Sequence, residues 1–254
     1  DLQEARDLQQ SLVRERFRAF DQGTLSLMLR SSGHVGGDLV GFFPVNDHEL
    51  GLFGIDVSGH GISSALMTAR LAGYLSATTP DHNIALERGP DGQVVSRCPA
   101  KVIAELNNLV LTEVETEHYF TIMLAVVNLT TGDVVLSQAG HPHPVVQRAD
   151  GTVEQDGPGG FPVGLIFGMT YERFDLRLAP GDRLLMLSDG VTECPDPGGD
   201  MLGEQGLTTM MQRLSDLHDT ALLEALIWEL GRFAGKDEFP DDVSGLLFEY
   251  SGPV

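Results

Sequence analysis

The hydrophobic positions of the chain change period several times. Leu2, Ala5, Leu8, Leu12, Val13, Phe17 and Phe20 recur at spacings of mostly three and four with charges between them, which predicts an amphipathic helix closed by Gly23. Short apolar runs then predict strands at Leu25–Arg30, Leu39–Val45 and Leu50–Ile55, the last two joined by a turn at Asn46 and Asp47. A helix is predicted from Ile62 to about Ser76, with Ile62, Leu66, Ala69 and Gly73 on its core face. Another is predicted over Ala100–Glu113, with Val102, Ile103, Leu106, Leu109 and Val110 turned inward. Between the two, Thr78–Pro99 is polar, contains Gly and Pro, and reads as a surface excursion.

The second half continues with tight turns. Tyr119–Leu129 turns at Thr131 and Gly132 into Asp133–Gln138, and Val145–Arg148 turns at the hairpin signal Asp150-Gly151. Phe174–Leu178 is predicted to turn at Pro180-Gly181 into Arg183–Ser188. Helices at Glu204–Leu217, with Met210 and Met211 in the core, and at Thr220–Phe233 precede a last strand, Val243–Tyr250. Strands joined by tight turns cannot be parallel. The expectation is an α+β fold of antiparallel sheets covered by helices. Residues 1–22 form a linker helix in this reading, and residues 23–254 a single domain.

Composition narrows the function. With 254 residues there is ample chain for one large core. Sixteen basic against 37 acidic side chains give a net charge of −21, which repels phosphate backbones and anionic lipid headgroups and argues against nucleic acid and membranes as partners. No apolar stretch approaches the roughly 18 residues of a membrane helix, and no basic-then-apolar export signal opens the chain. Cys98 and Cys194 cannot form a disulfide framework and suit a reducing cytosol, so a cytoplasmic location is expected.

Several acidic residues share a setting that composition does not predict. Asp38 follows Gly36-Gly37, Asp56 ends the strand around Leu50–Ile55, Asp189 ends Arg183–Ser188, and Asp241-Asp242 precede the last strand. Each stands where an apolar strand meets a turn. Asp is common in turns for local reasons, but carboxylates gathered at strand ends repel one another unless a cation neutralises them. Oxygen-only ligands suit Mg²⁺ or Mn²⁺, and no Cys/His spacing suggests a structural zinc.

The segments Val35-Gly36-Gly37-Asp38, Gly54-Ile55-Asp56-Val57-Ser58-Gly59-His60-Gly61, Ala139-Gly140-His141-Pro142, Ser188-Asp189-Gly190-Val191-Thr192-Glu193 and Asp241-Asp242-Val243-Ser244 occur in a telling order. Together they resemble the metal-dependent serine/threonine protein phosphatases of the PPM type, in their bacterial SpoIIE-like branch, over about Leu25 to Tyr250. The resemblance implies an α-β-β-α sandwich of two packed antiparallel sheets flanked by helices. It also implies two Mn²⁺ or Mg²⁺ ions. Asp56 would bridge them, the Val57 carbonyl and Asp38 would serve one, and Asp189 and Asp241 the other, with Asp242 at the variable following position. Gly41 stands where many relatives carry a further Asp, Leu39-Val40 where aromatics are usual, and the phosphate-gripping arginine of eukaryotic members has no clear match.

The activity so implied is hydrolysis of phosphoserine or phosphothreonine on a protein by an activated water, the usual substrate of the branch being a phosphorylated anti-sigma-factor antagonist. His60, at a Gly-flanked helix start, either donates a proton to the leaving oxygen or simply opens the helix; His141 is expected to fix a loop. The opening helix resembles the linker to an upstream sensor or receiver domain, and its face at Leu8, Leu12 and Phe17 either pairs with a second copy in a homodimer or packs on its own domain. A non-catalytic alternative keeps the fold as a pseudophosphatase that docks a regulatory protein; lost ligands would favour it, and all four principal carboxylates are present. Nucleotide binding at Gly36-Gly37 or Gly59-x-Gly61 fails for want of the full phosphate-loop spacing and its lysine.

Overall fold

A computed structural model of the chain describes residues 11–253 apart from 14, 34, 60, 78–79 and 115–116. Two antiparallel sheets dominate it. The six-stranded sheet runs β1 (Phe17–Phe20), β2 (Gly23–Arg30), β13 (Val243–Tyr250), β12 (Arg183–Leu187), β9 (Val145–Gln147), β10 (Val153–Gln155). The five-stranded sheet runs β11 (Phe174–Arg177), β8 (Asp133–Ala139), β7 (Phe120–Asn128), β4 (Glu49–Val57), β3 (Asp38–Asn46). All of their strand pairings are antiparallel.

Period-2 alternation divides the core. On β12, Leu184 and Met186 face the space between the sheets while Leu185 and Leu187 face outward; on β13, Leu246 and Phe248 face in and Leu247 faces out. The outer face is covered by α4 (Gly203–Arg213) and α5 (Asp219–Ala234) through Leu207, Met210, Met211, Leu222 and Leu226. Across the sandwich, α1 (Ile62–Tyr74) and α2 (Pro99–Glu113) cover the other sheet with Met67, Leu71, Val102, Ile103 and Leu106. These are the α-β-β-α layers the resemblance implies.

Four local expectations are corrected. The helical pattern to Phe20 gives way to β1, paired from Phe17 opposite Ser26 to Phe20 opposite Gly23. Val13, Phe17 and Phe20 are spaced for a helix, but pairing at the sheet edge satisfies the backbone instead, so a boundary at Gly23 would cut a hairpin. Leu12 packs on the core of this domain and Val13 is buried in it; Leu8 lies outside the described residues. On α1 the inward face is Ser64, Ala65, Met67, Thr68 and Leu71, while Ile62 and Leu66 are 44% and 60% exposed. Small side chains on the inward face let the helix approach the backbone before β3, where the Thr68 hydroxyl donates to the Gly37 carbonyl at 2.9 Å.

The Pro180-Gly181 turn does not close a hairpin either. β11 pairs with β8 and β12 with β13 and β9, so the chain changes sheet there. Every residue of β12 is buried and needs neighbours on both edges, which the half-exposed β11 does not provide. Within the predicted surface excursion, β5 (Leu86–Arg88) and β6 (Val94–Ser96) form a small hairpin of their own.

His141 is 4% exposed, with Nδ1 3.0 Å from the Thr121 hydroxyl and Nε2 against Gly54. Burial pushes its pKa down to about 4. The unfolded chain therefore takes up this proton first as pH falls, and stability present above the ordinary value of about 6.5 is lost towards pH 4. For His141→Gln, the wild-type-minus-variant difference in unfolding free energy should fall by about 3 kcal/mol between those limits. Urea midpoints measured across the range check this; parallel curves would refute it.

Candidate metal centre

Antiparallel register places Asp38, first residue of β3, directly opposite Asp56 near the end of β4. The backbone before β3 presses against the same point: the Val57 amide donates to the Gly37 carbonyl at 3.2 Å, and a Cβ at Gly37 would stand 2.2 Å from the Val57 carbonyl oxygen. A Cβ at Gly36 would stand 1.6 Å from the Asp242 carboxylate. Only glycine at both positions permits this approach.

From the other sheet, Ser188 and Ser244 stitch the end of β12 to the start of β13. The Ser188 amide donates to the Ser244 carbonyl and the Ser244 amide to the Ser188 hydroxyl, both at 2.9 Å. This sets Asp189, which opens the short helix α3 (Asp189–Thr192), beside Asp241. A Cβ at Gly190 would meet the Asp242 carbonyl at 1.9 Å, so the third glycine is required for the same kind of closeness.

The result is an acidic cleft of about 710 Å³, with Asp56, Asp189, Asp241, Val57, Tyr119 and Thr121 among its walls. Asp38 is 1% exposed and lies behind Asp56, in contact with the Ser244 and Ser188 hydroxyls. Burial, then the charges of Asp56 and Asp242, hold its carboxyl well above the usual range. Burial, then Asp189 and Asp241, push Asp56 up to about 7. Burial, then Asp241 and Glu193, push Asp189 up to about 6. Desolvated like charges thus face one another here, and a cation would relieve them.

The donor set is oxygen only. Among the described residues, no three carboxylate, imidazole or thiol groups converge closely enough to cage an ion by themselves. That suits Mg²⁺ or Mn²⁺, of which Mg²⁺ is commonly held by one or two carboxylates and keeps several waters.

Asp242 differs from its neighbours. Its Oδ1 accepts from the Ser32 amide at 2.7 Å and hydroxyl at 3.0 Å, and its Oδ2 from the amides of Gly37 at 2.8 Å and Asp38 at 3.4 Å. Both oxygens are engaged by Ser32, Gly37 and the Asp38 amide, which ties Asp242 to the start of β3. Two further residues escaped the sequence reading. His118 Nδ1 donates to the Ser58 carbonyl at 2.8 Å, and its Nε2 lies 2.7 Å from the Ser63 hydroxyl, tying the end of β4 to the start of α1. Their separation along the chain left no local signal. His60 lies outside the described residues. Cys194 is buried, and burial raises its thiol pKa.

Residues 46–251 match the family described as Stage II sporulation protein E (SpoIIE). The phosphoserine phosphatase RsbP of Bacillus subtilis (strain 168) is 27% identical over 197 residues, covering 76% of this chain and 45% of RsbP. The chain thus spans about half the length of the curated relatives it matches. The SiaA-PP2C domain of Pseudomonas aeruginosa superposes with a TM-score of 0.75 at 20% identity, over 98% of this chain and 94% of that one. RsbX, solved in complex with magnesium, superposes with a TM-score of 0.61 at 14% identity, over 92% and 98%. Although the matched segment starts only at the β3–β4 turn, it takes in Asp56, Asp189 and Asp241 with the strands that deliver them, and on that match the chain belongs to the SpoIIE family, with the fold of PP2C phosphatase domains.

Proposed function

We propose that this domain hydrolyses phosphoserine or phosphothreonine on a protein substrate at a divalent-metal centre in the acidic cleft. The observation that carries the reading is the meeting of Asp56, Asp189 and Asp241 on one cleft, with Asp38 directly behind. Asp56 would serve two Mn²⁺ or Mg²⁺ ions, Asp38 and the Val57 carbonyl one of them, and Asp189 and Asp241 the other. When bound, such ions supply Lewis acidity at the phosphoryl group and lower the pKa of water. RsbX, solved with magnesium, and RsbP, named a phosphoserine phosphatase, support the ion and the reaction class by likeness.

The protein's own residues do the rest. The carboxylates hold charge where it is otherwise unfavourable, and the Asp242, Ser188, Ser244 and His118 contacts keep them in place. A protein carrying −21 repels a phosphomonoester unless that cleft is neutralised. Cys194, buried with a raised pKa, is no nucleophile, which favours direct attack by water over a cysteinyl-phosphate route. In this reading the substrate is a phosphorylated anti-sigma-factor antagonist. An upstream sensor or receiver domain would act through the N-terminal segment, where Leu12 and Val13 already grip the core. Pairing of that segment with a second copy remains part of the proposal for Leu8 and Phe17, the latter 43% exposed.

Turnover of a chromogenic phosphomonoester should vanish with EDTA and return with Mn²⁺ or Mg²⁺. Asp56→Asn and Asp189→Asn should each lower kcat by more than about a hundredfold with the fold retained by circular dichroism. Near-normal turnover with normal metal content in either variant would place the chemistry elsewhere.

Metal binding should also appear in stability. Asp56 and Asp189 have folded pKa values raised to about 7 and 6, so their favourable contribution is complete below the unfolded carboxyl value and is lost as pH rises through 6 to 7. Added Mn²⁺ should therefore raise Tm at pH 7.5 and do so far less at pH 5, where protons compete for the same oxygens. Asp56→Asn should remove most of that pH-dependent gain, and a gain independent of pH would count against these ligands. Asp242→Asn should weaken Mn²⁺ binding by about 10–100-fold without abolishing it, as calorimetric titration would show; unchanged affinity would deny Asp242 its positioning role.

A further inference from the structure

Among the described residues nine arginines lie within 4 Å of a carboxylate, as expected for a chain with more than twice as many acidic as basic side chains. Arg16, Arg30 and Arg70 have no such partner among them, and all three are exposed; Arg70 donates to the Tyr74 hydroxyl of its own helix. Arg16 and Arg30 line one polar cavity of about 360 Å³ together with Ser32, Phe239, Asp237 and Glu238. Its position is informative. Arg30 ends β2 opposite Val243, the residue after Asp242, so it stands at the same end of the sheet as Asp241. Ser32 is a wall of both the cavity and the acidic cleft, and its two hydrogen bonds to Asp242 pin the segment that joins them.

Resting on the phosphatase reading, we propose that this side cavity is a specificity subsite. It takes an acidic side chain of the protein substrate, within a few residues of the phosphoserine, on the Arg16 and Arg30 guanidinium groups. On a surface otherwise hostile to anions, two arginines without carboxylate partners beside the reaction cleft form a local exception. Guanidinium forks match carboxylates in geometry as well as charge. Asp237 and Glu238, which line the same cavity, limit the affinity, which suits a substrate that has to leave after one hydrolysis. An occupant held by those two acids would instead be basic, and the same experiment separates the two.

Phosphoserine peptides identical except for Asp, Ala or Lys at the flanking positions are compared on the full chain with Mn²⁺, by turnover and by fluorescence anisotropy. Each protein's preference is the ratio between peptides, so overall activity cancels. Exposed ion pairs of this kind are worth severalfold each, and the acidic peptide should lead the neutral one by about tenfold in kcat/KM and in affinity. In Arg16→Ala/Arg30→Ala the ratio should fall to about one, and in Arg16→Glu/Arg30→Glu the Lys peptide should lead. Asp237→Asn/Glu238→Gln should widen the preference for acid. No acidic preference in the wild type, or one that survives the double alanine change, overturns the subsite, as does a wild-type lead of the Lys peptide. Flank-dependent binding without turnover of any peptide would overturn the phosphatase reading and leave the subsite standing. Turnover without flank dependence would do the reverse.

Discussion

The Asp242 carboxylate, 4% exposed, accepts hydrogen bonds from Ser32, Gly37 and Asp38 while its own backbone leads directly into β13. It thereby joins the start of the six-stranded sheet's central strand to the loop that feeds the edge of the other sheet. Hydrogen bonds to an ionised group are stronger than neutral ones, and breaking them inside the protein leaves a charge without compensation. The separation of the two sheets at the cleft, the depth of Asp38 and the place of Ser32 all follow from this one set of contacts. The glycines at 36, 37 and 190 serve it by removing the side chains that would hold the segments apart.

Such closeness has an electrostatic cost. Two ionised carboxylates directly opposite one another in a strand pair would be destabilising, and Asp38, opposite Asp56 and hydrogen-bonded to it, has its carboxyl held well above the usual range. Two further carboxylates on the cleft wall add to the repulsion. The fold tolerates it because the apolar layers on either side are continuous: Ile55 and Phe120 beside the cleft are fully buried, as are Leu184 and Leu246 across from them. Stability is thus supplied by the sandwich and given up locally at its mouth, the arrangement expected of a site that binds cations.

Much of this was legible in the chain. Burial of both faces of β12 and β13 follows from their apolar runs, and β13 has the predicted bounds, because a central strand covered on both sides is hydrophobic throughout. The strand-end positions of Asp38, Asp56, Asp189 and Asp241 were visible for the same reason. What failed depended on contacts between distant segments. The inward face of α1 is chosen by Thr68 meeting Gly37, and not by the larger Ile62 and Leu66. Pro180-Gly181 announces a reversal, but pairing partners decide whether the reversal stays within one sheet. Asp242 and Asp241 are adjacent in sequence and stand in different surroundings, one bonded to the segment before β3 and the other on the cleft wall, because side chains of consecutive residues leave the backbone in different directions.

The departure at Gly41 has a physical counterpart. A Cβ there would lie 2.5 Å from the Phe53 ring, which stacks in turn with Phe43. A carboxylate at position 41 could stand only by displacing that ring, so the apolar contact occupies the position where the resemblance leads one to expect a further Asp. Support for Asp38 then has to come from elsewhere, and the hydroxyls of Ser188 and Ser244 together with the Asp242-held loop provide it from the opposite sheet. Asp38 is thus kept in position by contacts across the sandwich. This couples the cleft to the packing of the two sheets, and any upstream element that shifts one sheet edge against the other would act on Asp38 first.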